Sequence, residues 1–142
     1  MNVYAESSAV ISWLLGEYTG NRVRQILRRS KLIAASELTI LECQRVLIRA
    51  LTIGEIDEGT AGGRRAALSA AAGHWHILRV SPEIIDRAGH PFPAEPIGTL
   101  DAIHLASALT ARSAISRLEL LSLDSRIRES GRQLGFRLRP EG

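Results

Sequence analysis

The chain holds few of the residues from which familiar sites are built. Cys43 is the single cysteine in 142 residues, which excludes an intrachain disulfide and a thiolate zinc centre. Lys31 is the only lysine among 18 basic side chains. A receiver domain has a similar size but needs a lysine late in the chain, so that class is excluded. No Gly-x-x-x-x-Gly-Lys-Ser/Thr stretch occurs, and no Gly-x-Gly-x-x-Gly follows a strand pattern. A P-loop nucleotide hydrolase and a dinucleotide-binding domain therefore fall away. No apolar run approaches the ~18 residues that a membrane span needs. The opening Met1-Asn2-Val3-Tyr4-Ala5-Glu6 has no basic segment and meets an acid at once, unlike a signal peptide. The expectation is a cytoplasmic protein with no membrane partner.

What is there is an ordinary globular composition, 45% hydrophobic and 23% charged. The length suits one domain over residues 1–142, enough to bury roughly 68–70% of the unfolded surface. The net charge is +3 and the basic residues are nearly all arginine. Arginine grips phosphate and carboxylate oxygens in pairs. A codon bias towards arginine explains most of the skew, and the surplus charge leans towards a polyanionic partner.

Short apolar runs alternate with helical patterns. Strands are predicted at Val3–Ala5, Leu32–Ala35, Trp75–Val80 and Leu118–Leu123, with a short edge strand at Phe136–Leu138. Helices are predicted at Ser7–Leu15, Asn21–Arg29, Glu37–Leu51 behind a Ser36 cap, and Glu55–Ala72. Three more follow: one opened by Ser81-Pro82-Glu83, one from a Thr99 cap to Ala114, and one from an Asp124 cap to Leu134. Pro91, Pro93 and Pro96 mark a loop. The alternation predicts a three-layer α/β/α sandwich around a mostly parallel sheet of four to five strands. In such sheets ligands sit outside the carboxyl ends of the strands.

That edge collects acids. Glu6 follows the first strand, Glu42 lies on the helix after the second, Asp101 opens a helix, and Asp124 follows the fourth strand. Four carboxylates brought together repel and raise each other's pKa, so a cation must neutralise them. A hard divalent ion with oxygen ligands is the natural occupant. Each acid also has an ordinary role. Glu6 and Asp101 sit in first turns, where the helix dipole favours an anion. Glu42 shares a helix stripe with Arg45 and Arg49, as in a surface ion pair of little energetic value. Asp124 suits an N-cap. Their joint placement is what points to a site.

The chain resembles the PIN-domain ribonucleases, most closely the VapC toxins of bacterial type II toxin–antitoxin systems. The resemblance rests on four stretches in order: Val3-Tyr4-Ala5-Glu6-Ser7-Ser8, Ser36-Glu37-Leu38-Thr39-Ile40-Leu41-Glu42, Thr99-Leu100-Asp101-Ala102-Ile103-His104-Leu105-Ala106, and Leu121-Ser122-Leu123-Asp124-Ser125-Arg126. It implies a PIN-like fold and an endoribonuclease that needs Mg²⁺ or Mn²⁺ and hydrolyses RNA with a metal-activated water. Glu6 and Asp101 would be the principal ligands, with Asp124 and Glu42 completing the acidic pocket. Ser7, Ser8 and Ser122 would hold the carboxylates in place. The resemblance also implies a VapB-like antitoxin as partner and a toxin homodimer, within a larger assembly with the antitoxin. The helices at Ile40–Leu51 and Glu55–Ala72 are candidate surfaces for both. One departure stands out: the family's first acid is usually Asp, and Glu6 sets its carboxylate one methylene further out. A second reading keeps the fold as a catalytically weak or inactive module that binds RNA or protein. A third is a nuclease acting on DNA.

Other residues divide between roles. His104, three residues after Asp101, shares its helix face and reads as a packed histidine before a ligand. Trp13 and Trp75 read as core, and Cys43 as an inert core thiol. Arg22, Arg24, Arg28, Arg29 and Lys31 form a basic segment without an acid, suited to a solvated face, RNA phosphates or an acidic antitoxin segment. Arg112, Arg117, Arg126 and Arg128 are candidates to hold the scissile phosphate.

Overall fold

Five short strands carry the architecture. The computed structural model describes residues 1–142, with strands β1 (Asn2–Ala5), β2 (Leu32–Ser36), β3 (His76–Leu78), β4 (Leu118–Leu121) and β5 (Leu138–Arg139). The helices are α1 (Ser7–Leu14), α2 (Gly20–Arg29), α3 (Glu37–Thr52), α4 (Glu58–Ala72), α5 (Pro82–Ala88), α6 (Thr99–Ala114) and α7 (Ser125–Gln133). The sheet runs β3-β2-β1-β4-β5 and every pairing is parallel. The chain winds outward from β1 to β3, then returns to β1's other side to lay down β4 and β5. This places a topological switch point between β1 and β4, where the loops leaving two neighbouring strands diverge and open a crevice.

The alternation of side chains along the strands sorts the core into two layers. Tyr4, Ala34, Leu118 and Leu120 face Ile84, Leu105, Ala108 and Ile127 from α5, α6 and α7. Val3, Ala5, Ala35 and Leu121 face Val10, Val23, Cys43 and Leu68 from α1 to α4. The β1 residues Val3, Tyr4 and Ala5 are wholly buried on both faces, as parallel strands between helix layers require. Burial pushes the Cys43 thiol up to about 12, fitting its role as an apolar filler.

Local chemistry sets the helix starts. Ser36 ends β2 and caps α3 by accepting from the Leu38 amide. Asp57, not Glu55, opens α4, its Oδ1 accepting from the Thr60 amide at 2.7 Å. Thr99 is the first residue of α6 and not its cap; Gly98 occupies that position without a side-chain bond. The third strand is shorter than its apolar run, and Trp75 lies outside it. The edge strand falls two residues later than predicted, at Leu138–Arg139, with Phe136 buried ahead of it. At Gly20 a Cβ would come within 2.6 Å of the Ser12 carbonyl oxygen, so a bare backbone is what lets α2 start against α1.

Candidate active site

The crevice at the switch point is built from the residues directly after β1 and β4. Glu6 is the N-cap of α1, accepting from the Ser8 amide through Oε2 at 2.9 Å. Its Oε1 accepts from the hydroxyls of Ser8 and Ser122, both at 2.5 Å. Glu6 is 3% exposed, and these donors replace the water it has lost. Ser122 Oγ also accepts from the Asp124 amide, and Ser8 Oγ from the Leu123 amide. The two hydroxyls thus stitch the β1 and β4 loops across the switch point. Ser122 is fully buried.

A second polar chain runs into the same crevice from the α5–α7 layer. Glu42 Oε1 accepts from Ser7 Oγ at 2.7 Å and pairs with His104 Nε2 at 2.6 Å. His104 Nδ1 meets the Tyr4 hydroxyl at 2.9 Å. Glu42 can only accept, so Nε2 carries a hydrogen and donates to it; in the neutral ring Tyr4 then donates to Nδ1. Tyr4 and His104 are buried. Burial, with the nearby Glu6 and Glu42 charges, drives the Tyr4 phenol far above its ordinary range. Burial works to raise the Glu42 carboxyl too. The hydrogen bonds from His104 and Ser7 outweigh it and hold Glu42 below the ordinary glutamate range.

Asp101 differs from its neighbours. No protein donor bonds either of its oxygens, and burial raises its carboxyl above the ordinary aspartate range. The negative charges of Asp124, Glu6 and Glu42 add to the rise, partly offset by His104. Asp101 thus feels the other three acids, whereas Glu42, expected to be raised with them, is lowered by His104 and Ser7. Asp124 does act as the N-cap of α7, accepting from the Arg126 and Ile127 amides at 3.0 Å through Oδ1. Its Oδ2 has no donor.

As the side chains stand, no three acids or histidines converge into a closed ligand cage. The donor set nonetheless fits one kind of ion. All the available atoms are carboxylate oxygens: both of Asp101, Oδ2 of Asp124, Oε2 of Glu42 and a remaining lone pair on Glu6 Oε2. Such a set suits a hard divalent cation that keeps several of its waters and takes only one or two direct carboxylates.

The other predicted residues separate clearly. Ser7, Ser8 and Ser122 do hold carboxylates; Ser7 serves Glu42, while the other two serve Glu6. Arg112 and Arg117 lie at the opposite end of the sheet, where α6 ends and β4 begins. Arg112 caps the Leu134 carbonyl and lies over the Phe136 ring. Arg128 is spent on the carbonyls of Ser122, Arg139 and Pro140. Arg126, exposed beside Asp124, uses Nη1 on the Pro96 carbonyl and keeps its other nitrogens. Tyr4 was not visible as a site residue in the sequence, because a buried strand tyrosine carries no signal of its own. The place of His104 one turn after Asp101 was the available hint. Trp13 and Trp75 pack against the core at its margin, as expected of them, but are only partly buried and also line a cavity.

Comparisons with known proteins identify the family and the fold. The PIN domain family profile matches residues 3–133. Ribonuclease VapC46 of Mycobacterium tuberculosis is 33% identical over 134 residues, covering 94% of this chain and 93% of its own length. A toxin–antitoxin complex from Klebsiella pneumoniae has a chain that superposes with a TM-score of 0.61 at 20% identity, over 88% of both chains. The sarcin–ricin loop cleaving toxin VapC20 of Mycobacterium tuberculosis superposes with a TM-score of 0.63 at 13% identity, over 92% of this chain and 95% of that one.

Proposed function

The chain belongs to the PIN-domain family, and from that premise we propose that it is a Mg²⁺- or Mn²⁺-dependent endoribonuclease, the toxin of a VapBC-like toxin–antitoxin pair. The observation that carries this reading is Asp101: a carboxylate with no protein partner, held at the strand-end crevice against three further acids. Carboxyls raised by burial and by neighbouring acids cluster at functional sites, where a cation or a reacting proton uses them. RNA as substrate is supported by the full-length similarity to a ribonuclease. An antitoxin partner, and a toxin homodimer, are extended to this chain from the family and from the toxin–antitoxin complex that shares its fold.

Asp101 is the open ligand, and Asp124 Oδ2, Glu42 Oε2 and Glu6 Oε2 complete the pocket. A divalent ion bound there supplies Lewis-acid stabilisation of a phosphodiester under attack by water. The protein's own part is preorganisation. Ser8 and Ser122 fix Glu6 through Oε1. His104 and Ser7 fix Glu42 through Oε1 and leave Oε2 without a protein donor. Arg126 is placed beside Asp124 to orient a substrate phosphate.

The test is incubation of the purified chain with total bacterial RNA in Mg²⁺, in Mn²⁺ and in EDTA, beside Asp101→Asn. Discrete cuts that need metal and vanish in the variant are expected. A folded, antitoxin-free protein that cuts nothing would leave a binding module instead, and Glu6→Asp would then test whether the longer side chain is the cause.

A further inference from the structure

A second site lies at the other end of the sheet. A cavity of about 430 Å³ opens between α1, α2, the end of α4 and the segments entering β2 and β3; its walls include Trp13, Trp75, Arg24, Arg28, Lys31 and His74. It is separate from the carboxylates. Trp13 sits seven residues along α1 from Glu6, roughly 10 Å down the helix axis, and Lys31 and Trp75 precede their strands where the acids follow theirs.

Two independent features ask for a ligand. The first is charge. No acid lines the cavity, and Arg24, Arg28, Lys31 and His74 take part in none of the molecule's ion pairs. The second is the aromatic wall. The chain has two tryptophans, and both line this one cavity, partly exposed, with Leu27 and Ile33 beside them. Indole faces take planar rings, and stacking of one base on an aromatic side chain is worth about 1–3 kcal/mol. An inorganic anion would leave the indoles unused, and an apolar ligand would leave the cations unanswered. The volume falls in the ordinary range for small-ligand pockets.

We propose that this cavity binds a phosphorylated nucleoside, its base against Trp13 and Trp75 and its phosphate among Arg24, Arg28 and Lys31. The ligand is either a free nucleotide or one unit of a single-stranded RNA. The proposal stands apart from the nuclease reading, since it uses none of the strand-end acids.

Because both tryptophans line the cavity, intrinsic fluorescence reports on it directly. The intact chain, in EDTA so that no RNA is cut, would be titrated with 5′-AMP, adenosine, inorganic phosphate and a five-nucleotide single-stranded RNA. Saturable quenching by AMP is expected, with affinity at least tenfold above that for adenosine or phosphate alone. Arg24→Glu and Lys31→Glu are exposed positions; each should weaken AMP at least tenfold while the circular dichroism and Tm stay unchanged. Asp101→Asn should bind as the parent does. Tighter binding of the RNA than of AMP identifies a strand-binding site, and equal binding identifies a nucleotide pocket. The proposal is overturned if neither AMP nor RNA quenches, if phosphate alone binds as well as AMP, if the charge reversals change nothing, or if only a protein partner shields the indoles.

Discussion

Two carboxylates in the crevice should respond to neutralisation with opposite sign. Asp101 has its carboxyl raised, first by burial and then by Asp124 and Glu6. For an acid raised in the folded state, the unfolded chain holds fewer protons between the two pKa values, so stability falls as pH rises through that window. The penalty is absent below the ordinary aspartate value and complete above the raised one. Asp101→Asn therefore removes repulsion at pH 7. Asp101 is partly open to water, so screening limits the gain to about 0.5 kcal/mol, or about 2 °C in Tm. Glu42 is lowered, by hydrogen bonds from His104 and Ser7 that exceed the burial cost. Its contribution is complete above the ordinary glutamate value and lost as pH falls through the lowered one. Glu42→Gln turns two charge-assisted bonds, each worth about 1.5–3 kcal/mol, into neutral ones of about 0.5–1.5 kcal/mol. Discounted for the 27% exposure of the side chain, the loss is about 1–2 kcal/mol, or roughly 3–8 °C. The assay is calorimetric or urea melting of both variants at pH 7 and again near pH 3, where the two effects should shrink. The variants shifting in the same direction at pH 7 would refute the reasoning, because it would mean the crevice has no field that separates the two acids.

Other outcomes follow from single contacts. Ser122→Ala removes the donor to Glu6 Oε1 and the acceptor for the Asp124 amide; a loss of about 2–3 kcal/mol in denaturant melts is expected, with RNA cleavage reduced more than stability alone accounts for. Tyr4→Phe leaves His104 Nδ1 buried without a partner and should cost about 1–3 kcal/mol by the same measurement; a variant as stable as the parent would contradict the proton assignment along the chain from Tyr4 to Glu42. Gly20→Ala meets the backbone oxygen of Ser12 at 2.6 Å, and the forced shift of α2 should cost about 1–3 kcal/mol, read as a lower Tm with Asp101 chemistry intact. Saturating Mg²⁺ should raise the parent Tm and leave that of Asp101→Asn nearly unmoved.

Periodicity and punctuation were enough to read the layered α/β architecture, since burial between two helix layers leaves short apolar strands such as Val3–Ala5 and Leu118–Leu121, and caps such as Ser36, Ser81 and Asp124 mark helix starts by local hydrogen bonding. Strand-end position then picked out Glu6, Glu42, Asp101 and Asp124, because a parallel sheet carries every such residue to one edge. Boundaries that rest on local competition were less legible: Asp57 outbids Glu55 at α4, and Gly98 displaces Thr99 as the cap of α6. Contacts at long range were not legible at all. The sequence sets Tyr4 and His104 a hundred residues apart, and only the packing of α6 on the sheet brings them together beside Glu42. Likewise the stripe of Glu42 with Arg45 and Arg49 suggested a surface ion pair, whereas the fold turns Glu42 to His104 and Ser7. Which arginines stay free is decided the same way. A sequence counts charges, but the partner of each is fixed by the neighbour that folding brings within a few ångströms.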